Sequence, residues 1–362
     1  VTKTIRVLVV DDSAFMRTVI TQMLAAASDI KVVGQAPDGK QGLQMARDLK
    51  PDVITLDVEM PGLTGLEMLR ILMRSTPTPV IMLSTLTHAG AEVTMEAMEL
   101  GAVDYLAKHM EGGPLGMRKI GPVLIEKVRA VGSGDTREAL RTTVRTAARP
   151  PVRVGARPLG PVGGPGQLPV VAIGSSTGGP TALCELIPAL PGDLNAAVLI
   201  VQHMPAGFTR ALAQRLNRLS AIGVAEATEG APLKAGMAYV APGGLHMTVR
   251  SNGSRLTAHL SDRPALPMVP AVDVLFESLA AVCPERTLAV VLTGMGQDGC
   301  AGARALVAAG ARVVAQAKRG CLVYGMPKAV MEAGLASREV ELAHLPEDID
   351  MAVSAKRAAP VA

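Results

Sequence analysis

The sequence predicts an α/β protein of two doubly wound domains, each a parallel sheet with helices on both faces. Three observations carry this. Apolar runs of five or six residues, rich in Val, Ile and Leu, recur along the chain with helical patterns between them, as strands buried on both faces require. The chain is 49% hydrophobic yet has no Trp, three Tyr and three Phe, so its cores are aliphatic. Its 362 residues are enough for two cores, and the pattern breaks in the middle, where 12 of the 37 residues at 132–168 are Gly or Pro.

The elements follow in order. Strands are expected at Ile5–Val10, Ile30–Ala36, Val53–Asp57, Val80–Ser84 and Val103–Ala107, with helices at Ala14–Ala27 and about Leu115–Val131. This spacing fits five βα units in a domain over 1–131. Residues 132–168 read as a linker rich in Gly, Pro and Arg. Arginine recurs at 137, 141, 145, 149, 153 and 157, which would line one helix face, but Pro150 and Pro151 limit any such helix. These arginines form either a solvated basic face or a contact for an acidic surface. A second α/β pattern occupies 169–350, followed by a short tail, 351–362. Its strand candidates are Pro169–Ile173, Ala197–Gln202, Met237–Ala241, Leu256–Leu260, Thr287–Leu292 and Arg312–Gln316. Its helical candidates are Thr181–Ile187, Thr209–Leu219, Val274–Val282 and Ala301–Ala309.

Composition narrows the function. No apolar run is long enough for a membrane span and no signal peptide opens the chain, so a soluble cytoplasmic protein is expected. Cys184, Cys283, Cys300 and Cys321 lack metal-type spacing and read as buried free thiols. The net charge of +4 equals the excess of residues 132–168, with six basic and two acidic side chains, so it marks the linker and no nucleic-acid surface.

In the first domain, Asp11 and Asp12 follow the first strand and Asp57 ends the third. Parallel strands bring these positions to one carboxyl edge, where ligands bind. Three hard oxygen donors there suit Mg²⁺. Ser84 ends the fourth strand and Lys108 follows the fifth. A hydroxyl and a fixed cation beside an aspartate would stabilise a phosphoryl group on it.

In the second domain, the strand ending at Ile173 runs into Gly174-Ser-Ser-Thr-Gly-Gly-Pro180. The pattern Gly174-x-Ser176-x-Gly178 places a hydroxyl on a sharp strand-to-helix turn beside backbone donors. Ser176 is centred between the glycines, with Ser175 as the alternative nucleophile. The segment lacks the lysine of a phosphate-binding loop and the spacing of a dinucleotide fingerprint. His203 follows a second strand, and Asp298 lies in a glycine-rich loop after a third. A serine needs a base, and the base's tautomer needs a carboxylate. Backbone N–H groups near Thr177 and Met295 are candidate oxyanion donors. The chain order Ser, His, Asp differs from the α/β-hydrolase order, so a different fold is expected to carry the constellation.

Residues 1–131 resemble response-regulator receiver domains, whose fold is flavodoxin-like. The resemblance implies that Asp57 accepts phosphate from a chemotaxis histidine kinase and that Asp11 and Asp12, with Asp57, bind Mg²⁺. It makes Ser84 and Tyr105 the switch positions and Lys108 the phosphate-binding lysine. Met60-Pro61 and Gly65 match the loop after the acceptor. The family usually has Pro after the lysine, where this chain has His109.

Residues from about 168 to 345 resemble the catalytic domain of chemoreceptor protein-glutamate methylesterases. The motifs are Ile173-Gly-Ser-Ser-Thr-Gly-Gly179, Gln202-His-Met-Pro205, Gly207-Phe-Thr209, Tyr239-Val-Ala-Pro-Gly243, His246-Met247, Val272-Asp-Val-Leu-Phe276, Leu292-Thr-Gly-Met-Gly-Gln-Asp-Gly299 and Gly325-Met-Pro327. By this resemblance Ser176 is the nucleophile, His203 the base and Asp298 its orienter. The family's loop commonly has Ala where this chain has Ser175.

The implied activity is hydrolysis of glutamate methyl esters on methyl-accepting chemoreceptors, releasing methanol, with deamidation of specific receptor glutamines. The esterase chemistry implies no cofactor. The unphosphorylated receiver is expected to cover the active-site face and phosphorylation to loosen it. Two other classes compete: a non-enzymatic regulator whose second domain only binds, and a DNA-binding response regulator. Intact Ser, His and Asp oppose the first. The lack of a helix-turn-helix pattern opposes the second.

Overall fold

A computed structural model describes residues 4–85, 87–108, 113–132, 136, 137, 140, 162–164, 166–253 and 255–354. The chain forms two compact units, Val1–Ala148 and Arg149–Ala362.

The first unit alternates strand and helix: β1 (Ile5–Val10), α1 (Ala14–Ala25), β2 (Ile30–Ala36), α2 (Gly39–Leu49), β3 (Val53–Asp57), α3 (Gly65–Ser75), β4 (Val80–Thr85), α4 (His88–Glu99), β5 (Asp104–Lys108) and α5 (Gly113–Val131). Its five strands are parallel in the order β2-β1-β3-β4-β5. The chain leaves β1 toward β2, then crosses back over β1 to β3. That reversal opens a crevice at the carboxyl ends of β1 and β3, the two strands that carry the aspartates. The core is aliphatic: Val7, Leu8, Val9, Val10, Ile54, Leu56, Ile81 and Met82 are all fully buried. Polar caps start the helices. Ser13 caps α1 through Met16 N, Asp38 caps α2 through Gln41 N, and Thr64 with Glu67 forms a reciprocal capping box on α3.

The second unit contains β6 (Val170–Ser175), α6 (Gly179–Leu186), β7 (Ala197–Gln202), α7 (Phe208–Leu219), β8 (Gly223–Glu226), β9 (Met237–Val240), β10 (His246–Asn252), β11 (Arg255–Ser261), α8 (Val272–Val282), β12 (Thr287–Val291), α9 (Cys300–Ala308), β13 (Arg312–Gln316), α10 (Met326–Glu332), β14 (Glu339–Val340) and α11 (Leu345–Val353). Seven strands form one parallel sheet in the order β14-β13-β12-β6-β7-β9-β8. Its switch point lies at β6, where the chain winds out through β7 and later returns to place β12 on the other side. Val162 N donates to Ala352 O and Gly163 N to Glu285 O, so these two residues also belong to this unit.

The sheet's central strands, β6, β7 and β12, are buried at every position. This is why they are legible as unbroken apolar runs. The strand expected at Leu256–Leu260 lies outside the parallel sheet. It is part of β11, paired antiparallel with β10 in a separate two-stranded ribbon. The short edge strands β8 and β14, and β10 itself, were not anticipated. Their half-exposed positions alternate and give no continuous apolar signal.

Among the described residues no helix is long and apolar enough to cross a membrane. All four cysteines are free. Of the linker arginines, Arg137 donates to the Pro51 carbonyl. Arg141, Arg145, Arg149, Arg153 and Arg157 lie outside the described residues, as does His109.

Candidate active site and phosphoacceptor site

The second unit brings three strand ends together beside its switch point. Ser176 follows β6, His203 follows β7 and Asp298 lies in the loop after β12. His203 Nε2 is 2.7 Å from Asp298 Oδ2. The ring's other nitrogen, Nδ1, makes no hydrogen bond among the described residues. The Ser176 hydroxyl likewise has no partner among them, and its side chain is half-buried. Ser176 N donates to Thr293 O, 3.0 Å away, which ties the Ser176 turn to the loop of Asp298.

Ser175 is placed differently. It is the last residue of β6, is fully buried, and donates its hydroxyl to Gln202 Oε1 at 2.7 Å. Of the two adjacent serines, Ser176 has the accessible, uncommitted hydroxyl.

Asp298 sits against the amino end of α8. Its Oδ2 accepts from Val272 N (2.7 Å) and its Oδ1 from Asp273 N (2.9 Å) and Gly299 N (3.0 Å). The N–H groups of Val272 and Asp273 are orphan donors of the first turn of α8, where negative charge is favoured. Burial by itself would raise the carboxyl. The hydrogen bond and charge of His203, with the N–H groups of Val272 and Asp273, outweigh that and hold it below the usual aspartate range. Asp298 is therefore a fixed carboxylate facing the imidazole.

Asp273 has the opposite fate. Burial, partly offset by the Gly302 N–H and reinforced by the neighbouring Asp298 carboxylate, pushes it up to about 6. Its Oδ1 accepts from Gly302 N at 2.7 Å, linking α8 to α9. The sequence offered a signal here, an acid inside an otherwise apolar Val272–Phe276 run, but no role for it.

The backbone around Ser176 is crowded. A Cβ on Gly294 would stand 2.2 Å from Met326 Sδ and 2.8 Å from Ser176 Cβ. Thr293 locks the same region: its hydroxyl donates to Thr177 O (2.9 Å) and accepts from Val323 N (3.0 Å). The N–H of Met295 donates to no group among the described residues and is available as an oxyanion donor. Thr177, the other candidate donor, lies in the turn that ends at Gly178 (φ +78°), just before α6.

In the first unit, Asp11, Asp12 and Asp57 each offer a carboxylate oxygen, and all three oxygens lie within 4.8 Å of one another. Lys108 Nζ is 2.7 Å from Asp57 Oδ2 and 3.0 Å from Asp11 Oδ2. Burial pushes the Asp57 carboxyl up to about 6 despite the lysine, with Asp11 and Asp12 adding repulsion. Three converging hard oxygens with one cation leave net negative charge, which fits a small divalent ion. The loop after Asp57 passes so close that a Cβ on Gly65 would be 2.0 Å from Asp57 O. Ser84 is buried and donates to Gly90 O at 3.1 Å. Tyr105 is buried beside Lys127, whose Nζ is 6.0 Å from the ring centre. Burial, then the Asp104 carboxylate, hold its phenol well above the usual range.

Comparison with known proteins matches a different family to each part of the chain. The family model for response regulator receiver domains matches residues 7–116, and that for CheB methylesterases matches residues 171–349. A protein-glutamate methylesterase/protein-glutamine glutaminase of Symbiobacterium thermophilum is 48% identical over 350 residues, covering 95% of each chain. One from Thermotoga maritima is 41% identical over 354 residues, covering 96% of this chain and 98% of the relative. The crystal structure of the Thermotoga maritima CheB methylesterase catalytic domain superposes with a TM-score of 0.50 at 39% identity, covering 51% of this chain and 98% of that one. With a receiver domain followed by a methylesterase domain, and near-full-length similarity to such relatives, the chain belongs to the protein-glutamate methylesterase/protein-glutamine glutaminase family.

Proposed function

We propose that this chain is a phosphorylation-activated serine esterase that hydrolyses glutamate methyl esters on methyl-accepting chemoreceptors and deamidates specific receptor glutamines. The chain then divides into a receiver (1–131), a linker (132–168) whose Val162 and Gly163 hydrogen-bond to the second unit, a catalytic domain (169–350) and a tail (351–362) into which the last helix runs as far as Val353, working in the cytoplasm. The observation that carries it is the His203–Asp298 pair, 2.7 Å apart through Nε2. That pairing leaves Nδ1 as the nitrogen for the serine.

Ser176 is the nucleophile. His203 Nδ1 takes the hydroxyl proton as Oγ bonds to the ester carbonyl carbon. Asp298, already ionised, holds the Nε2–H and stabilises the imidazolium. The N–H groups of Met295 and Thr177 receive the oxyanion, and each such donor is typically worth about 3–4 kcal/mol. The carbon–methoxy bond then breaks, His203 returns the proton, and methanol leaves. Water, deprotonated by the same imidazole, attacks the acyl-serine and releases a glutamate. With a glutamine substrate the leaving group is ammonia. None of these steps calls for a cofactor.

Asp57 is the phosphoacceptor for a chemotaxis histidine kinase. Asp11, Asp12 and Asp57 would hold Mg²⁺, which when bound neutralises charge on the phosphoryl oxygens. Lys108 supplies a second, fixed cation. Ser84 and Tyr105 are the switch residues. The unphosphorylated receiver restrains the catalytic domain, and moving such a balance from 1:99 to 99:1 takes about 5.5 kcal/mol of differential stabilisation.

Two measurements test this reading. Ser176→Ala should abolish methanol release from methylated receptor while phosphate still enters Asp57; retained turnover would move the nucleophile elsewhere. Residues 169–362 alone should release methanol faster than the unphosphorylated full chain. Equal rates would remove the restraint.

A further inference from the structure

We propose that Gln202 is a positioning residue that clasps the backbone of Ser176 to that of His203, with its amide oriented by Ser175. The proposal rests on the reading of Ser176 and His203 as nucleophile and base. Gln202 is 2% exposed and closes β7 opposite Ser175, the last residue of β6. Beyond this pair the two strands hand over to the loops of Ser176 and His203. The backbone bond from His203 N to Ser175 O (3.1 Å) is the last main-chain link between them.

The Gln202 side chain spans the gap. Its Nε2 donates to Ser176 O at 2.9 Å and to His203 O at 3.2 Å, and its Oε1 accepts the Ser175 hydroxyl at 2.7 Å. Both amide hydrogens are thus committed to the carbonyls of the nucleophile and the base. A flipped amide would set Oε1 against two carbonyl oxygens in a buried site, where unpaired acceptors are costly. The Ser175 hydroxyl, donating to Oε1, favours the observed orientation. The space for that oxygen exists because residue 179 has no side chain: a Cβ on Gly179 would lie 1.9 Å from it. Among the described residues Gln202 makes no hydrogen bond to the Ser176 hydroxyl or the His203 ring; it acts through the separation of two residues that must exchange a proton.

The test uses the full chain, phosphorylated with acetyl phosphate and Mg²⁺, acting on methyl-esterified receptor fragment. Gln202→Met removes the polar contacts at similar length, and Gln202→Glu turns the double donor into an acceptor. Each should lower kcat roughly 100-fold with KM changed less than about twofold, as expected for misplaced reacting groups. Labelling of Ser176 by a fluorophosphonate should slow in parallel. Ser175→Ala keeps both carbonyl contacts and should lower kcat about fivefold.

A Gln202→Met kcat within about threefold of wild type, or a rise in KM at constant kcat, overturns the proposal. So does a loss of rate matched by the unfolded fraction at the assay temperature. If neither Gln202 variant folds, Ser175→Ala decides alone: unchanged kcat and labelling would overturn it. Ser176→Ala, run alongside, separates the two readings. Turnover by that variant refutes the nucleophile assignment, whereas its inactivity beside unimpaired Gln202 variants refutes the clasp only.

Discussion

His203 meets Asp298 through Nε2, at 2.7 Å, across 95 residues of sequence. The consequence is a division of labour on one ring. In the proposed mechanism Asp298 holds the nitrogen that carries the proton, and Nδ1 is left for the Ser176 hydroxyl. The amino end of α8 holds the carboxylate from behind, through the N–H groups of Val272 and Asp273.

Asp298→Asn tests that division directly. The amide can no longer stabilise the imidazolium, and it would set an N–H against either His203 or the helix donors. Methanol release should fall roughly 10³- to 10⁴-fold with the fold retained. A loss below about tenfold would mean the carboxylate is dispensable.

Gly294→Ala should also be damaging, without touching any polar group. The new methyl meets Met326 Sδ and Ser176 Cβ, so the Met326 side chain and the Ser176 turn must both give way. Overpacking of this kind typically costs about 1–3 kcal/mol. The melting temperature should drop, and fluorophosphonate labelling of Ser176 should slow further than the drop explains.

Asp273 makes a pH prediction. Its carboxyl is raised from 3.8 to about 6, so between those values this one group holds its proton more in the folded protein than in the unfolded chain. Its stabilising contribution is complete below 3.8 and is lost as pH rises through about 6. Asp273→Asn cannot titrate and can still accept from Gly302 N. The melting temperature of the variant, relative to wild type, should therefore increase as pH is raised across that window. A constant difference would show that Asp273 does not titrate there.

Chelation separates the two chemistries. With EDTA in place of Mg²⁺, incorporation of phosphate from acetyl phosphate should cease, because Asp11, Asp12 and Asp57 would be left without the cation that, in the proposed role, lets a dianion approach. Hydrolysis by residues 169–362 should be unchanged. A chelator-sensitive esterase would place a metal in the second unit, where among the described residues no group of three potential ligands clusters.

Much of this was legible locally. Asp11, Asp12, Asp57, Lys108, Ser176 and His203 each abut a buried strand, and Asp298 lies in the loop after one. An apolar run ending at a polar or glycine residue announces a strand's carboxyl end without any knowledge of its neighbours. The ribbon of β10 and β11 was less legible, since a half-exposed antiparallel pair alternates rather than running apolar. The sequence favours Ser176 over Ser175 only by its central place between the glycines. Burial and the Gln202 partner separate them.

The sequence by itself determined the two α/β patterns, the break between them and the residue types that stand at each strand end. The tertiary structure decided which strand ends are neighbours, which imidazole nitrogen faces the carboxylate, and how Gln202 and the amino end of α8 brace the site. The physical reason is that strand identity comes from burial pattern over a few residues. Strand order and side-chain pairing come from long-range packing, here joining residues 27 and 95 positions apart through single hydrogen bonds.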